Sequence, residues 1–75
     1  MKKIDLHGIK HESVRPLLIR FIEDNWDQDG PKQDAEIITG HSDKMKEIVK
    51  EILGEYKLEY TEGNLTNQGY IKTFI

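Results

Sequence analysis

Residues 4–8, Ile4-Asp5-Leu6-His7-Gly8, alternate apolar and polar side chains and then stop at a glycine. Successive side chains of a strand point to opposite faces, so Ile4 and Leu6 can enter a core while Asp5 and His7 stand together on the other side. A carboxylate beside an imidazole can orient the ring and favour its charged form, which makes Asp5 and His7 a candidate acid/base pair. A strand with one wet face also predicts a sheet that carries its helices on the opposite face only.

The remaining segments follow from periodicity. Val14, Leu17, Leu18, Phe21 and Ile22 recur at helical spacing, with Arg15, Arg20, Glu23 and Asp24 opposite them. Pro16 lacks a backbone N–H and suits only the first turn or so, which predicts a helix starting near residues 11–13 and stopping near Trp26. Residues 27–34 have turn composition and predict a solvated loop. Residues 35–39 predict a second strand, closed by Gly40-His41-Ser42-Asp43. Ser42 or Asp43 can cap a second helix, whose apolar stripe is Met45, Ile48, Val49, Ile52, Leu53 and Tyr56 and whose last turn Gly54 is expected to fray. Residues 57–61 and 70–75 alternate as strands around the turn-rich segment 62–69.

The order is βαβαββ. Two successive strand–helix units predict parallel pairing of the first two strands, with both helices on one face of the sheet. A last strand reached by a short connection is expected to run antiparallel. The predicted fold class is therefore α/β, an α+β two-layer sandwich with a four-stranded mixed sheet.

Length and composition narrow the function. A chain of 75 residues makes a single domain, 1–75, and buries only roughly 60% of the surface its unfolded form exposes. Cys is absent, which rules out disulfides and thiolate metal sites and fits a reducing compartment. Met1-Lys2-Lys3 leads straight into the first strand rather than into an apolar run, so a cytoplasmic protein without membrane attachment is expected. Lys and Arg number 11 against 14 Asp and Glu, a formal charge of −3, which opposes nonspecific binding to phosphates. The distribution is uneven, however, because Lys2, Lys3, Lys10, Arg15, Lys44 and Lys46 flank the motif segments.

The predicted topology gathers distant residues at one rim. The carboxyl ends of the two parallel strands carry Leu6-His7-Gly8 and Thr39-Gly40-His41-Ser42, and the start of an antiparallel last strand brings Asn67-Gln68-Gly69 to the same edge. Helix N-termini point there as well, offering unpaired N–H groups that favour an anion such as phosphate. His7, His11 and His41 all belong to this edge.

Asp5-x-His7 at a strand end, the Thr39-Gly40 turn opening a helix, and Asn67-x-Gly69 before a final strand resemble the three signatures of the Smr (small MutS-related) domain. The resemblance spans nearly the whole chain. It implies a two-layer fold similar to the C-terminal domain of bacterial translation initiation factor three, binding of DNA or RNA, and endonuclease activity, either DNA-nicking or RNA-cleaving. Carried onto this sequence, it makes Asp5 and His7 the catalytic pair. Gly8, Lys10, His11, Thr39, Gly40, His41, Ser42, Lys44, Asn67 and Gly69 are the expected nucleic-acid and phosphate contacts. Family members usually carry a second glycine two places after Gly40, where this chain has Ser42.

Plainer readings stand beside these. Gly8 and Gly40 can be turn glycines supplying positive φ, Asn67 can order the turn before the last strand, and Trp26 belongs to the core. A divalent metal, Mg²⁺ or Mn²⁺, has a thin basis in Asp5, with Asp43 the nearest other carboxylate. Histidine chemistry without metal is simpler on RNA, where the 2′-hydroxyl supplies the nucleophile. The alternative function is a non-catalytic module binding nucleic acid at the same rim, or a protein-interaction module using the open sheet face. A monomer is expected.

Overall fold

The computed structural model describes residues 2–26, 30, 32–63 and 69–75. Its elements run β1 (Lys2–Asp5), α1 (His11–Asn25), β2 (Asp34–Ile38), α2 (Asp43–Glu55), β3 (Tyr60–Glu62) and β4 (Tyr70–Phe74), the predicted βαβαββ order. The four strands form one sheet in the order β1-β2-β4-β3. β1 and β2 are parallel, and β4 lies antiparallel between β2 and β3. Both helices bury their apolar stripes against one face, so the sandwich has two layers.

The register explains the burial. Ile4, Ile37 and Ile71 pair across β1, β2 and β4 and point to the helices. There they meet Val14, Leu18 and Ile22 of α1 and Met45, Val49, Ile52 and Leu53 of α2 in a single core. The other alternation, Lys3, Asp5, Glu36 and Lys72, faces away from the helices, with Lys3 and Lys72 pairing to Glu36 and Asp34 at 3.8 and 3.1 Å. Trp26 packs on the core edge with its ring centroid 5.9 Å from that of Tyr56. The buried Thr73 hydroxyl donates to the Glu59 carbonyl at 2.6 Å, which leaves no orphaned polar group there.

Element ends differ from the periodicity by a residue or two. α1 begins at His11, so Pro16 sits in its second turn and gives no N–H to the Glu12 carbonyl. Gln33 and Ile75 exchange two backbone hydrogen bonds of 2.7 and 3.0 Å, extending the β2–β4 ladder beyond Asp34. β3 starts at Tyr60 rather than at residue 57 because the chain first needs a helix stop. Gly54 stays helical, and Lys57 adopts φ 56°. The Leu58 N–H then bonds the Leu53 carbonyl and the Lys57 N–H bonds that of Gly54, both at 3.0 Å, the pattern of a Schellman stop. α2 is tied to β3 by the Lys50–Glu62 ion pair, which holds the Glu62 carboxyl below its ordinary range.

A left-handed conformation costs a side-chain-bearing residue roughly 1–2 kcal/mol, of which glycine's greater unfolded freedom returns part. Lys57→Gly is therefore expected to stabilise the domain by about 0.5–1 kcal/mol in urea denaturation. A loss of stability would mean that the lysine side chain contributes more than its backbone strain costs.

Candidate functional site

The rim at the carboxyl ends of β1 and β2 is built by backbone hydrogen bonds. The ladder runs one step past β1, where the Leu6 N–H donates to the Ile38 carbonyl at 2.8 Å. The chain then turns sharply, because the Ile9 N–H bonds back to the Leu6 carbonyl at 3.0 Å and Gly8 takes φ 82°. That is the arrangement of a type II turn, in which the third residue needs positive φ. On the neighbouring strand, the buried Gly69 carbonyl accepts from both Thr39 and Gly40, at 2.8 and 2.9 Å. This one acceptor clamps the start of β4 to the end of β2.

Asp5 has a different role from the one its spacing suggests. Its Oδ1 accepts the backbone N–H of His7 at 2.9 Å, an Asx-type bond in which a carboxylate holds the amide two residues on. Among the described residues the His7 ring has no hydrogen-bonded partner. The Asp-x-His spacing therefore fixes the backbone of the turn.

Gly40 seats the imidazole instead. It has φ 69°, and a Cβ added there would lie 2.7 Å from His7 Cδ2. The absence of a side chain is what lets the exposed His7 ring lie over the second turn. No such contact exists at Gly8, where an added Cβ meets nothing within 4 Å. Two of the sequence motifs thus touch directly, and Gly69 of the third is bonded to the second. Asn67 lies outside the described residues.

The predicted contact residues divide into two groups. Thr39 is only 2% exposed, and its hydroxyl donates to the Gly40 carbonyl at 2.9 Å. The Thr39 and Gly40 N–H groups are both given to the Gly69 carbonyl, so the donors of this turn serve the scaffold. Gly69 is likewise buried scaffold. Ser42 caps α2, its Oγ accepting the Met45 N–H at 3.1 Å. Its side chain is spent on the helix, as a Ser at that position should be. By contrast, Lys10, His11, His41 and Lys44 are exposed, and among the described residues their side chains have no protein partner.

Comparison of the chain with protein-family models, with characterised proteins and with solved structures returned no match.

The electrostatics of the rim are mixed. Lys10 precedes α1 and Lys44 lies in the first turn of α2, while Glu12 and Asp43 occupy the corresponding first turns. Each helix leaves its first N–H groups without intrahelical acceptors, and the positive dipole end reinforces them. A shallow open depression of about 410 Å³ at the start of α1 is lined by Ile9, Lys10, His11 and Glu12. Among the described residues, no three of His, Asp and Glu gather around a common point that could hold a metal ion. The Asp5 carboxylate accepts the His7 N–H through Oδ1. No helix among the described residues is long and apolar enough to cross a membrane.

The contact between His7 and Gly40 can be measured. Gly8→Ala and Gly40→Ala both force a side chain into positive φ, but only the second displaces the imidazole. Gly40→Ala is expected to shift the His7 ring signals in a two-dimensional NMR spectrum, and Gly8→Ala to leave them in place. In a double-mutant cycle with His7→Ala, coupling of about 0.5 kcal/mol or more is expected for Gly40 and none for Gly8.

Proposed function

We propose that the protein is an Smr-like nucleic-acid-binding domain with phosphodiester-cleaving activity, acting on DNA or RNA through the rim around His7. The observation that carries this reading is the direct convergence of the motif segments. His7 lies over Gly40, and the Gly69 carbonyl bonds the Thr39–Gly40 backbone. An unpartnered imidazole at a strand end, flanked by exposed Lys10 and Lys44 and by two helix starts, suits a phosphate diester better than a neutral ligand. The ligand's charge would fall where N–H donors and ammonium groups are free, and the reacting bond would lie beside His7.

On RNA the step balances without an added co-reactant. His7 accepts the proton of the 2′-hydroxyl, O2′ forms a bond to phosphorus, and the P–O5′ bond breaks to leave a 2′,3′-cyclic phosphate. The departing O5′ takes up a proton from water or from a second imidazole at the rim. Helix N–H groups and Lys10 or Lys44 offset the negative charge that builds on the phosphoryl oxygens. Asp5 contributes by holding the His7 backbone in place.

A second reading is favoured by one specific observation. Because the Asp5 carboxylate bonds the His7 amide rather than its ring, the imidazole lacks the orienting partner that acid/base catalysts commonly have. A module that binds nucleic acid at this rim without cutting it would need only the exposed lysines and histidines.

His7→Ala separates the two. The residue is exposed, so truncation opens no cavity, and melting temperature and binding are expected to stay near wild type. Cleavage of labelled RNA and nicking of supercoiled DNA are expected to fall by about 10²–10⁴-fold, the usual contribution of general acid/base groups. Asp5→Asn keeps an oxygen acceptor for the His7 N–H and is expected to be milder than Asp5→Ala. A His7→Ala protein that cuts at the wild-type rate would remove the catalytic assignment, and wild-type protein that binds but never cuts would establish the second reading.

A further inference from the structure

At the pole opposite the His7 rim, the ends of α1, α2 and β4 meet around a partly enclosed cavity of about 250 Å³. Trp26 follows the last residue of α1, Tyr56 follows the last residue of α2, and Phe74 closes β4. Three separate elements thus each bring one aromatic side chain to the same space. Leu58, which is buried, adds to its apolar lining. Lys32 and Lys57 line it as well and are exposed. Among the described residues neither lysine has an ion-pair partner, and no acidic side chain lines the cavity.

Lys57 stands there at a cost. It holds the left-handed position that ends α2, with φ 56°, where glycine is the usual residue because it carries no Cβ. The two bonds that end the helix come from the backbone N–H groups of Lys57 and Leu58, so the stop itself asks nothing of the lysine side chain. A side chain kept in a strained backbone position beside a cavity points to a use for that side chain.

The lining selects the ligand. Aromatic walls alone would suit a cation, since ring faces are negative, but two ammonium groups repel one. The Trp26 and Tyr56 rings lie 53° apart in tilt with centroids at 5.9 Å, a corner against which a flat ring can set both a face and an edge. The carboxyl ends of both helices lie at this pole, and their negative dipole ends oppose a dianion such as a phosphate monoester. A single carboxylate matched by two ammonium point charges is the anion that fits. The volume falls just below the roughly 300–1,000 Å³ of drug-sized sites, which limits the ligand to one or two rings. We propose that this cavity binds a small aromatic carboxylate, its ring against Trp26, Tyr56 and Phe74 and its carboxylate at Lys32 and Lys57. The site is separate from the rim and does not depend on the function proposed for it.

The test titrates the full chain, ¹⁵N-labelled, with 2-naphthoate as the probe in two-dimensional NMR. The single tryptophan gives one indole N–H signal, which is expected to shift together with the amides of Lys57 and Leu58. A Kd of about 1 mM or tighter is expected for a ligand of this size. The neutral isostere 2-naphthamide and the cation N,N,N-trimethyl-2-naphthylammonium are expected to bind at least about 5-fold more weakly, the ratio for one ammonium–carboxylate pair about 4 Å apart in water. Lys57→Gly is expected to lose about 5-fold in naphthoate affinity while gaining stability in urea, and Lys57→Arg to keep the affinity. Phe74→Leu is expected to lose about 2- to 10-fold and Phe74→Tyr to retain binding, which separates ring contact from a folding defect. Lys10→Ala, at the rim, is expected to change nothing. The proposal is overturned by an unshifted Trp26 indole signal at about 10 mM naphthoate, tenfold above that Kd, by amide or cation binding as tightly as the acid, or by Lys57→Gly binding as wild type. Shifts centred on His7 and Lys10 would assign the anion to the rim and overturn it likewise.

Discussion

One carbonyl holds the site together. Gly69 accepts from Thr39 at 2.8 Å and from Gly40 at 2.9 Å, and it thereby joins the end of one central strand to the start of the other. Every feature of the rim depends on that junction. It aligns β4 so that Ile71 and Thr73 enter the core, it fixes Gly40 in a backbone region that glycine tolerates best, and it brings the second turn under the His7 ring. The cost is that two amide donors are consumed in scaffolding. Under the proposed function, the groups left for a ligand are consequently the helix starts and the exposed side chains of Lys10, His11, His41, Lys44 and His7.

The same economy governs Asp5. An aspartate at the end of a strand can pair with a neighbouring ring or with the amide two residues on, and the short side chain reaches the amide without leaving a local turn. Here it bonds the amide, and the exposed imidazole is left to be positioned by packing on Gly40.

Much of the architecture was legible in the sequence. The alternation at residues 4–8, the helical spacing of Val14, Leu18 and Ile22, and the Ser42 cap with its apolar stripe each depend on local geometry that a one-dimensional pattern records. Pattern also captured the convergence of the strand ends, because parallel pairing of β1 and β2 follows from the strand–helix repeats. What the pattern missed is long-range or conformational. The shared Gly69 acceptor joins residues 29 and 30 positions apart in the chain. Lys57 in a left-handed helix stop breaks the expectation that glycine fills that position. Thr39 matched a motif but is buried, since a strand residue facing the helices cannot also face a ligand. The alternation Tyr70-x-Lys72-x-Phe74 was visible, but which side of β4 faced the helices became clear only once its neighbours were known.

Under the proposed function, ligand contact occurs at the rim formed by β1, β2 and the two helix starts. It is tested most directly by amide chemical-shift mapping of the ¹⁵N-labelled protein during titration with a short single-stranded oligonucleotide. The largest perturbations are expected to cluster at His7, Gly8, Lys10, His11, His41 and Lys44. Perturbations concentrated instead at the opposite pole, around Trp26, Tyr56 and Lys57, would contradict it.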